Sequence, residues 1–222
     1  MNVGHLRKCI LIPMRGGSKG IPRKNLAPFE GKPLCHHILQ TAIDSGIETW
    51  VSTDDAEIKA ESSKFGVNVL DRPAVFADDD STDLDVFLHF IEMLPDYDYI
   101  VHLRSTYPRM TTKIIHDADE WFRMNYDHCT SLRSMVKATE IPWKMWVFDG
   151  KRLVKPVTGK YDPTWMPRQR LRQAFYQNAA IDIIKVDTIQ RLRSMTGDRT
   201  IPYNMDGMVE DGVDIDNPED LR

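Results

Sequence analysis

Apolar residues change their spacing segment by segment along the first half of the chain. Residues 8–14, KCILIPM, form a short continuous apolar run, the mark of a buried strand, and the run stops at RGGSKGIPRKN, where glycine and proline displace any period. From Pro33 onward Leu34, Ile38, Leu39, Ala42 and Ile43 recur at helical spacing, with Pro33 suited to the first turn and Gly46 as the stop. Residues 48–53, ETWVST, read as a second strand. Asp54 or Asp55 then caps a helix that runs through Phe65, Gly66 ends it, and VNVL is a third strand. After the loop RPAVFADDD, a helical stripe of Leu84, Phe87, Ile91 and Leu94 precedes a strand at 98–103 and a helix over about 112–124.

Strand and helix alternate through all of this, which predicts an open, largely parallel sheet with helices on both faces and ligands beyond the carboxyl ends of the strands. Residues 129–176 break the rhythm. They hold the strand-like WKMWVF, a turn at Asp149-Gly150, LVKPV, and an arginine- and proline-rich stretch around Pro167-Arg168, and so predict a β-rich insertion. AAIDIIKV at 179–186 returns to a core strand, a short helix follows through Met195, and the chain closes on IPYNM and GVDIDNPEDL.

The chain has 222 residues, room for one α/β domain. Its 29 basic and 33 acidic residues, a net charge of −4, point away from nucleic acid or an anionic membrane as general partners. Cys9, Cys35 and Cys129 are far apart with no CxxC pair, which suits a reducing cytoplasm rather than a disulfide or zinc framework. The apolar run at 9–14 is too short for a signal peptide or a membrane span, so the chain reads as soluble and untargeted.

Chemistry concentrates first at Arg15-Gly16-Gly17-Ser18-Lys19-Gly20 and Lys24-Asn25, directly after the first strand. Glycines there let backbone N–H groups approach an anion, and Arg15, Lys19 and Lys24 add charge, so polyphosphate is the natural guest. Neither GxxxxGK[ST] nor GxGxxG is present. A second signal is Asp214-Ile215-Asp216. In an extended segment residues two apart project to one side, placing two hard carboxylates toward one divalent cation; the competing reading is an acidic surface turn beside Glu210, Asp211, Glu219 and Asp220. Ser81-Thr82 reads as a helix N-cap closed by Asp85. The alternation of Trp143, Trp146 and Phe148 suits an interface or core face.

RGGSKGIPRKN resembles the nucleotide-binding signature of the acylneuraminate cytidylyltransferases, which make CMP-sialic acid and related CMP-nonulosonates. VSTDD, RPAVFADDDST, HLRSTYPR, IPWK, PRQRLRQAFYQNAAID and VDIDNPEDL follow in that family's order, so the likeness covers nearly the whole chain. It implies a three-layer α/β fold of the nucleotide-diphospho-sugar-transferase type, with a mostly parallel central sheet. One domain would span 1–222, carrying a small β-rich dimerisation insertion at about 136–177, and CTP and an acidic sugar would be the substrates of a homodimer that uses magnesium. It implies that Arg15, Ser18, Lys19, Lys24 and Asn25 hold triphosphate and ribose, that Arg72 and Thr82 contact cytosine, and that Asp214 and Asp216 hold the metal. Arg15, Lys24 and Asp216 would carry the catalytic burden. Lys144, from the partner subunit, and Arg168 would meet the phosphates and the sugar carboxylate, a group that a guanidinium grips with two parallel hydrogen bonds. Asn178 would orient substrate or cap a turn.

The chain also departs from that family's pattern. Arg104 stands in LRSTYP where relatives often carry a glutamine, Asp182 replaces a tyrosine after Asn178, and the chain ends at Arg222 where relatives continue. Two readings of Arg104 and Asp182 are open: a structural ion pair, or contacts to an additional anionic group on the substrate. The same departures make a sugar phosphate, or another NTP, the alternative substrate within this fold. A catalytically silent nucleotide-binding protein is the alternative from another class.

Overall fold

The computed structural model describes residues 6–154, 163–208 and 214–221. Residues 155–157 of LVKPV, together with Glu210, Asp211, Val213 and Arg222, lie outside the described residues. The elements in chain order are β1 (Lys8–Pro13), a hairpin of β2 (Pro28–Phe29) and β3 (Lys32–Pro33), α1 (Leu34–Asp44), β4 (Thr49–Thr53), α2 (Ala56–Ser63), β5 (Asn68–Asp71), α3 (Asp83–Met93), β6 (Tyr99–Leu103) and α4 (Thr112–Met124). After them come β7 (Ser131–Lys137), a second hairpin of β8 (Val147–Phe148) and β9 (Leu153–Val154), then β10 (Phe175–Lys185), α5 (Val186–Leu192) and β11 (Thr200–Asn204).

Seven strands form one sheet in the order β11-β7-β10-β6-β1-β4-β5. β1 runs parallel to β4 and β6, β4 parallel to β5, and β7 parallel to β11, while β10 is antiparallel to both β6 and β7. The chain builds outward from β1 through β4 to β5, then returns to lay β6 on the other side of β1. At that reversal the connections after the two strands diverge, and a cleft opens beyond their carboxyl ends. Period-two alternation splits the core. Cys9, Leu11, Ile100 and Ile184 meet α3 and α5 through Phe87, Phe90 and Ile189. Ile10, Ile12, Val101 and Ile183 face the opposite layer, with Ile38 of α1, Ile58 of α2 and Phe122 of α4.

Capping chemistry sets where the helices begin. Asp55, rather than Asp54, caps α2 by accepting from the N–H groups of Glu57 and Ile58. Thr82 and Asp85 form a reciprocal capping box at the start of α3. Pro33 precedes α1 as its cap instead of entering the first turn. α2 stops at Ser63 before the left-handed Gly66, at φ 72°, and α5 stops at Leu192 because Arg193 takes φ 48°.

Two local readings change. WKMWVF is not one strand: Pro142, with no N–H to give a ladder, opens a 3-10 turn over Pro142–Lys144, and only Val147–Phe148 pair. Asp214 to Asp216 is not a sheet strand either; it is pinned through Ile215, whose N–H donates to the Thr106 carbonyl at 2.8 Å. The β2–β3 hairpin escaped the periodic reading because its paired strands hold two residues each, and its two-residue turn at Glu30 (φ 48°) and Gly31 (φ 82°) is of the left-handed kind. Among the described residues no helix is long and apolar enough to cross a membrane.

Phe87 is fully buried and packs edge-on against His102, with ring centroids 4.9 Å apart. Phe87→Ala is expected to cost about 3–5 kcal/mol, read as a lowered midpoint in chemical denaturation, because the sheet and α3 cannot close the space left behind. A cost below about 1 kcal/mol would mean that α3 packs loosely.

Candidate active site

The cleft at the β1/β6 reversal has a volume of about 340 Å³, and its walls include Arg15, Arg72, Thr82, His102, Arg104 and Thr106. One wall is the loop after β1. Gly16 N–H donates to Asp54 Oδ1 at 3.1 Å, and a Cβ on Gly16 would come within 2.7 Å of Asp55 Oδ2, so only glycine lets the loop lie this close to the end of β4. Over Gly17 the space is open, with nothing within 4 Å of an added Cβ. Arg15 donates to the Asp78 carbonyl at 2.8 Å and stands 3.7 Å from the Asp79 carboxylate, which also holds Lys19 at 3.0 Å. Ser18 is half-buried in the same loop. The fourth cation of the motif, Arg23, turns away to Asp55 and Glu57 at 3.1 and 2.9 Å.

The two terminal motifs meet beside the cleft, next to its lining residue Thr106, whose carbonyl accepts from Ile215. Lys24 Nζ donates to the Ile215 carbonyl and to Asp216 Oδ1, both at 2.9 Å. Gly20 makes room for the junction, since a Cβ there would lie 2.7 Å from the Asp216 carbonyl oxygen. Asp214 is half-buried; burial raises its carboxyl above the usual carboxylate value, against a lowering hydrogen bond from the Thr106 side chain, and its Oδ1 is buried without a hydrogen-bond partner. Among the described residues no group of three or more His, Cys, Asp or Glu is placed to hold a metal. Magnesium does not need one: it keeps several waters and binds through one or two carboxylates plus substrate phosphates. The orphaned Asp214 oxygen, with Asp216 close enough to raise Asp214 further by like-charge repulsion, fits that donor set.

Asn25 is buried and spoken for. Its Nδ2 donates to the Arg15 carbonyl at 2.9 Å and its Oδ1 accepts from the Ser105 hydroxyl, so it braces the loop after β1 against the end of β6 instead of offering its amide to a ligand. Arg72, also buried, donates to the Ser52 carbonyl at 3.1 Å; burial pulls its guanidinium below the usual arginine value and its Nε has no partner. Thr82 is exposed at the head of α3, where capping leaves it on the cleft wall. On the same loop the Ser81 hydroxyl donates to Asp78 at 2.7 Å and holds that carboxyl below its ordinary value.

Arg104 and Asp182 do pair, at 2.8 Å. The expectation that Asp182 touches substrate is corrected by its burial: it is 0% exposed, within the sheet, and its carboxylate serves Arg104 and, at 3.5 Å, Arg133. Register explains the grouping, because His102 on β6 and Arg133 on β7 stand directly across from Asp182 on β10. His102 lies 3.9 Å from that carboxylate, but desolvation, then Arg104 and Arg133, push its pKa well below the ordinary histidine value, so it is a neutral neighbour and no ion-pair partner.

Three predicted residues stand elsewhere. Lys144 is in the 3-10 turn of the insertion, and Arg168, 3.9 Å from Glu140, lines a separate depression of about 290 Å³ with Lys137 and Arg172. Asn178, on β10, points Nδ2 at the Met205 sulfur at 3.5 Å. Within one chain none of the three lines the cleft. Asp79, Ser105 and Arg133 are the residues that the motifs did not single out. Arg133 carries a cross-strand signal, a cation opposite an acid, but that signal exists only once the register is known.

The sequence profile of the family described as cytidylyltransferase matches residues 9–144. An N-acylneuraminate cytidylyltransferase of Oncorhynchus mykiss is 32% identical over 209 residues, covering 93% of this chain and 46% of the relative. A pseudaminic acid cytidylyltransferase of Campylobacter jejuni is 36% identical over 127 residues, 54% of this chain and 55% of that one. The chain thus spans about half the length of these curated relatives. Among solved structures, a CMP:2-keto-3-deoxy-manno-octonic acid synthetase complexed with CTP superposes with a TM-score of 0.69 at 17% identity, over 96% of this chain and 94% of the other, a likeness of fold.

Asn25→Ala is expected to lower folding stability by about 1–3 kcal/mol, because it leaves the buried Ser105 hydroxyl without its acceptor and the Arg15 carbonyl without a donor. Denaturant titration of the ligand-free protein checks it. An amide that served only a ligand would leave the midpoint where it was.

Proposed function

This chain belongs to the cytidylyltransferase family, and from that premise we propose that it transfers CMP from CTP to a nonulosonic acid with release of pyrophosphate. The observation that supports the reading is the tie of Lys24 to Ile215 and Asp216, which joins a cation-rich glycine loop to an acidic pair beside the cleft. The names of the relatives supply the class of acceptor.

In this reading the loop after β1 receives the triphosphate. Arg15 and Lys19 exchange the Asp79 carboxylate for phosphate oxygens, and Lys24 stands where the loop meets the acids. Asn25 and Ser105 keep the loop in place during that exchange. Arg72 and Thr82, on the wall beyond Arg15, are the cytosine side. The acceptor hydroxyl attacks the α-phosphorus in line; its oxygen bonds to phosphorus as the bond to the pyrophosphate oxygen breaks, and the hydroxyl proton passes to Asp216 or to water. Charge growing on the departing pyrophosphate is met by Arg15 and Lys24. Asp214 and Asp216 would hold magnesium, which when bound supplies charge neutralisation at the phosphates and lowers the pKa of a nearby hydroxyl.

The insertion is the dimer surface in this reading. Trp146, Phe148, Leu153, Trp165, Phe175 and Tyr176 are exposed there, an apolar concentration that a second copy would cover, and Lys144 and Arg168 would then serve the cleft of the other subunit. Cys9, Cys35 and Cys129 are all buried and unpaired, in keeping with a cytoplasmic setting.

Pyrophosphate release measured across four NTPs and a panel of carboxylated and phosphorylated sugars tests the reading; it stands if CTP with a nonulosonic acid is the productive pair, and release only with a sugar phosphate removes it. Asp216→Asn is expected to fold normally and to lose at least ~2 kcal/mol of transition-state stabilisation in kcat/KM. An unchanged kcat/KM would take Asp216 out of the mechanism.

A further inference from the structure

A polar row crosses the centre of the sheet, apart from the glycine loop after β1. His102, Asp182 and Arg133 stand side by side on β6, β10 and β7, in a layer otherwise filled by residues such as Leu11, Ile100 and Ile184. Two guanidiniums, those of Arg104 and Arg133, share the single carboxylate of Asp182, whose Oδ1 is buried with no hydrogen-bond partner. Leaving charges and a free acceptor inside a sheet costs stability unless something is gained by it.

Of this group His102 and Arg104 line the cleft, and Arg104 is the charged one of the two. Its Nη1 donates to the Ala179 carbonyl at 3.0 Å and its Nη2 to Asp182 at 2.8 Å, with Asp83 at the head of α3 3.5 Å away. Ala179 takes φ 56°, an unfavourable value for a residue with a Cβ, at the point where β10 slips register between Gln177 and Asp182. A strained carbonyl and a buried acid therefore take one N–H from each terminal nitrogen, and the Nε–H and the second N–H of each remain for a ligand carboxylate that would displace Asp83. Two residues on from Arg104, the Thr106 carbonyl accepts the Ile215 N–H at 2.8 Å, so Arg104 stands on the segment that anchors the acidic pair and across the strand reversal from the phosphate loop. Of the arginines lining the cleft, Arg15 belongs to that loop and Arg72 is buried against β4, so Arg104 alone stands just beyond the end of β6, away from the loop.

We propose that Arg104 grips the carboxylate of the acceptor sugar with two parallel hydrogen bonds, and that Asp182 is the positioning residue that holds the guanidinium ready for it. The assignment rests on the proposed acceptor class and adds to it a recognition residue supplied by this chain's own cleft, where Arg168 lies outside. A planar fork fits a planar carboxylate, and prior fixation by Asp182 and Ala179 removes the cost of ordering a long side chain during binding.

The test is steady-state kinetics with CTP and N-acylneuraminic or pseudaminic acid, each beside its methyl ester, for the wild-type chain, Arg104→Lys, Arg104→Gln, Asp182→Asn and the Arg104→Gln/Asp182→Asn pair. The double variant removes both partners of the buried ion pair, and Arg104→Lys keeps the charge on Asp182, so a folded protein is on hand if Arg104→Gln alone is unstable; melting and CTP affinity check folding. Arg104→Gln should raise KM for the acid about 10- to 100-fold, the scale of lost hydrogen bonds to a charged group, while KM for CTP stays within about twofold. The preference for acid over ester should vanish in both glutamine variants, fall part of the way in Asp182→Asn, and not be rescued by lysine, which lacks the fork. An acid-over-ester preference that survives in the folded double variant overturns the role of Arg104 and leaves the proposed function intact. A wild-type chain that accepts no carboxylated sugar at all overturns both.

Discussion

A single ammonium group joins the two ends of this chain. Lys24 lies between the carbonyl of Ile215 and the carboxylate of Asp216, and its side chain is 17% exposed, so the charges interact with less screening than they would at an open surface. The loop after β1 carries like charges that repel one another, and the segment from Asp214 to Asp216 carries two acids that do the same. Lys24 offsets part of both, while Asp79, Asp55 and Glu57 hold the other cations of the loop. Gly20 permits the approach, Thr106 anchors Ile215 from the end of β6, and Asn25 with Ser105 ties the loop to that same strand end. The cleft is lined by three distant stretches of sequence, 13–15, 72–86 and 102–106, with the acidic pair beside it, and the strand reversal between β1 and β6 is what brings them within reach.

How far the sequence could be read follows from where each signal was stored. Apolar runs and helical periodicity located β1, α1, β4, β5, α3, β6 and α4, since each buries a face whose pattern is local, while α2, which buries only Ile58 and Ser62, was marked by its acidic cap and by Gly66. It failed at Trp143 to Phe148, where aromatic alternation imitated a strand although Pro142 starts a turn, and at the β2–β3 hairpin, whose two-residue strands are too short to show a period. Cation density marked Arg15, Lys19 and Lys24, and the spacing of two acids marked Asp214 and Asp216. The bracing role of Asn25 was invisible because its partner, Ser105, stands eighty residues on. Asp182 showed itself as an acid inside an apolar run, but that it would be sealed from the cleft depended on the neighbours that register alone supplies.

Charge within the cleft is nearly matched before any ligand arrives. Arg15, Arg72 and Arg104 face Asp78, Asp79 and Asp83 around the same space. Exposed pairs such as Lys19 with Asp79, at 72% and 57% side-chain exposure, contribute little to folding, on the order of 0–1 kcal/mol. Their value lies elsewhere: weakly held cations are restrained near a useful position, yet surrender their acids at small cost when a polyanion enters. The pair of Arg104 with the buried Asp182 is the opposite case, held more firmly because the carboxylate is sealed from water.

β10 spans two territories, with Phe175 and Tyr176 exposed at one end beside the insertion and Ile183 and Ile184 sealed in the core at the other. A strand of eleven residues in unbroken register would act as a stiff rod between them. The slip between Gln177 and Asp182, with Ala179 turned left-handed inside it, puts a joint in that rod. The same turn aims the Ala179 carbonyl at Arg104, so the irregularity that parts the apolar tip from the core is also what fastens this strand to the cleft wall.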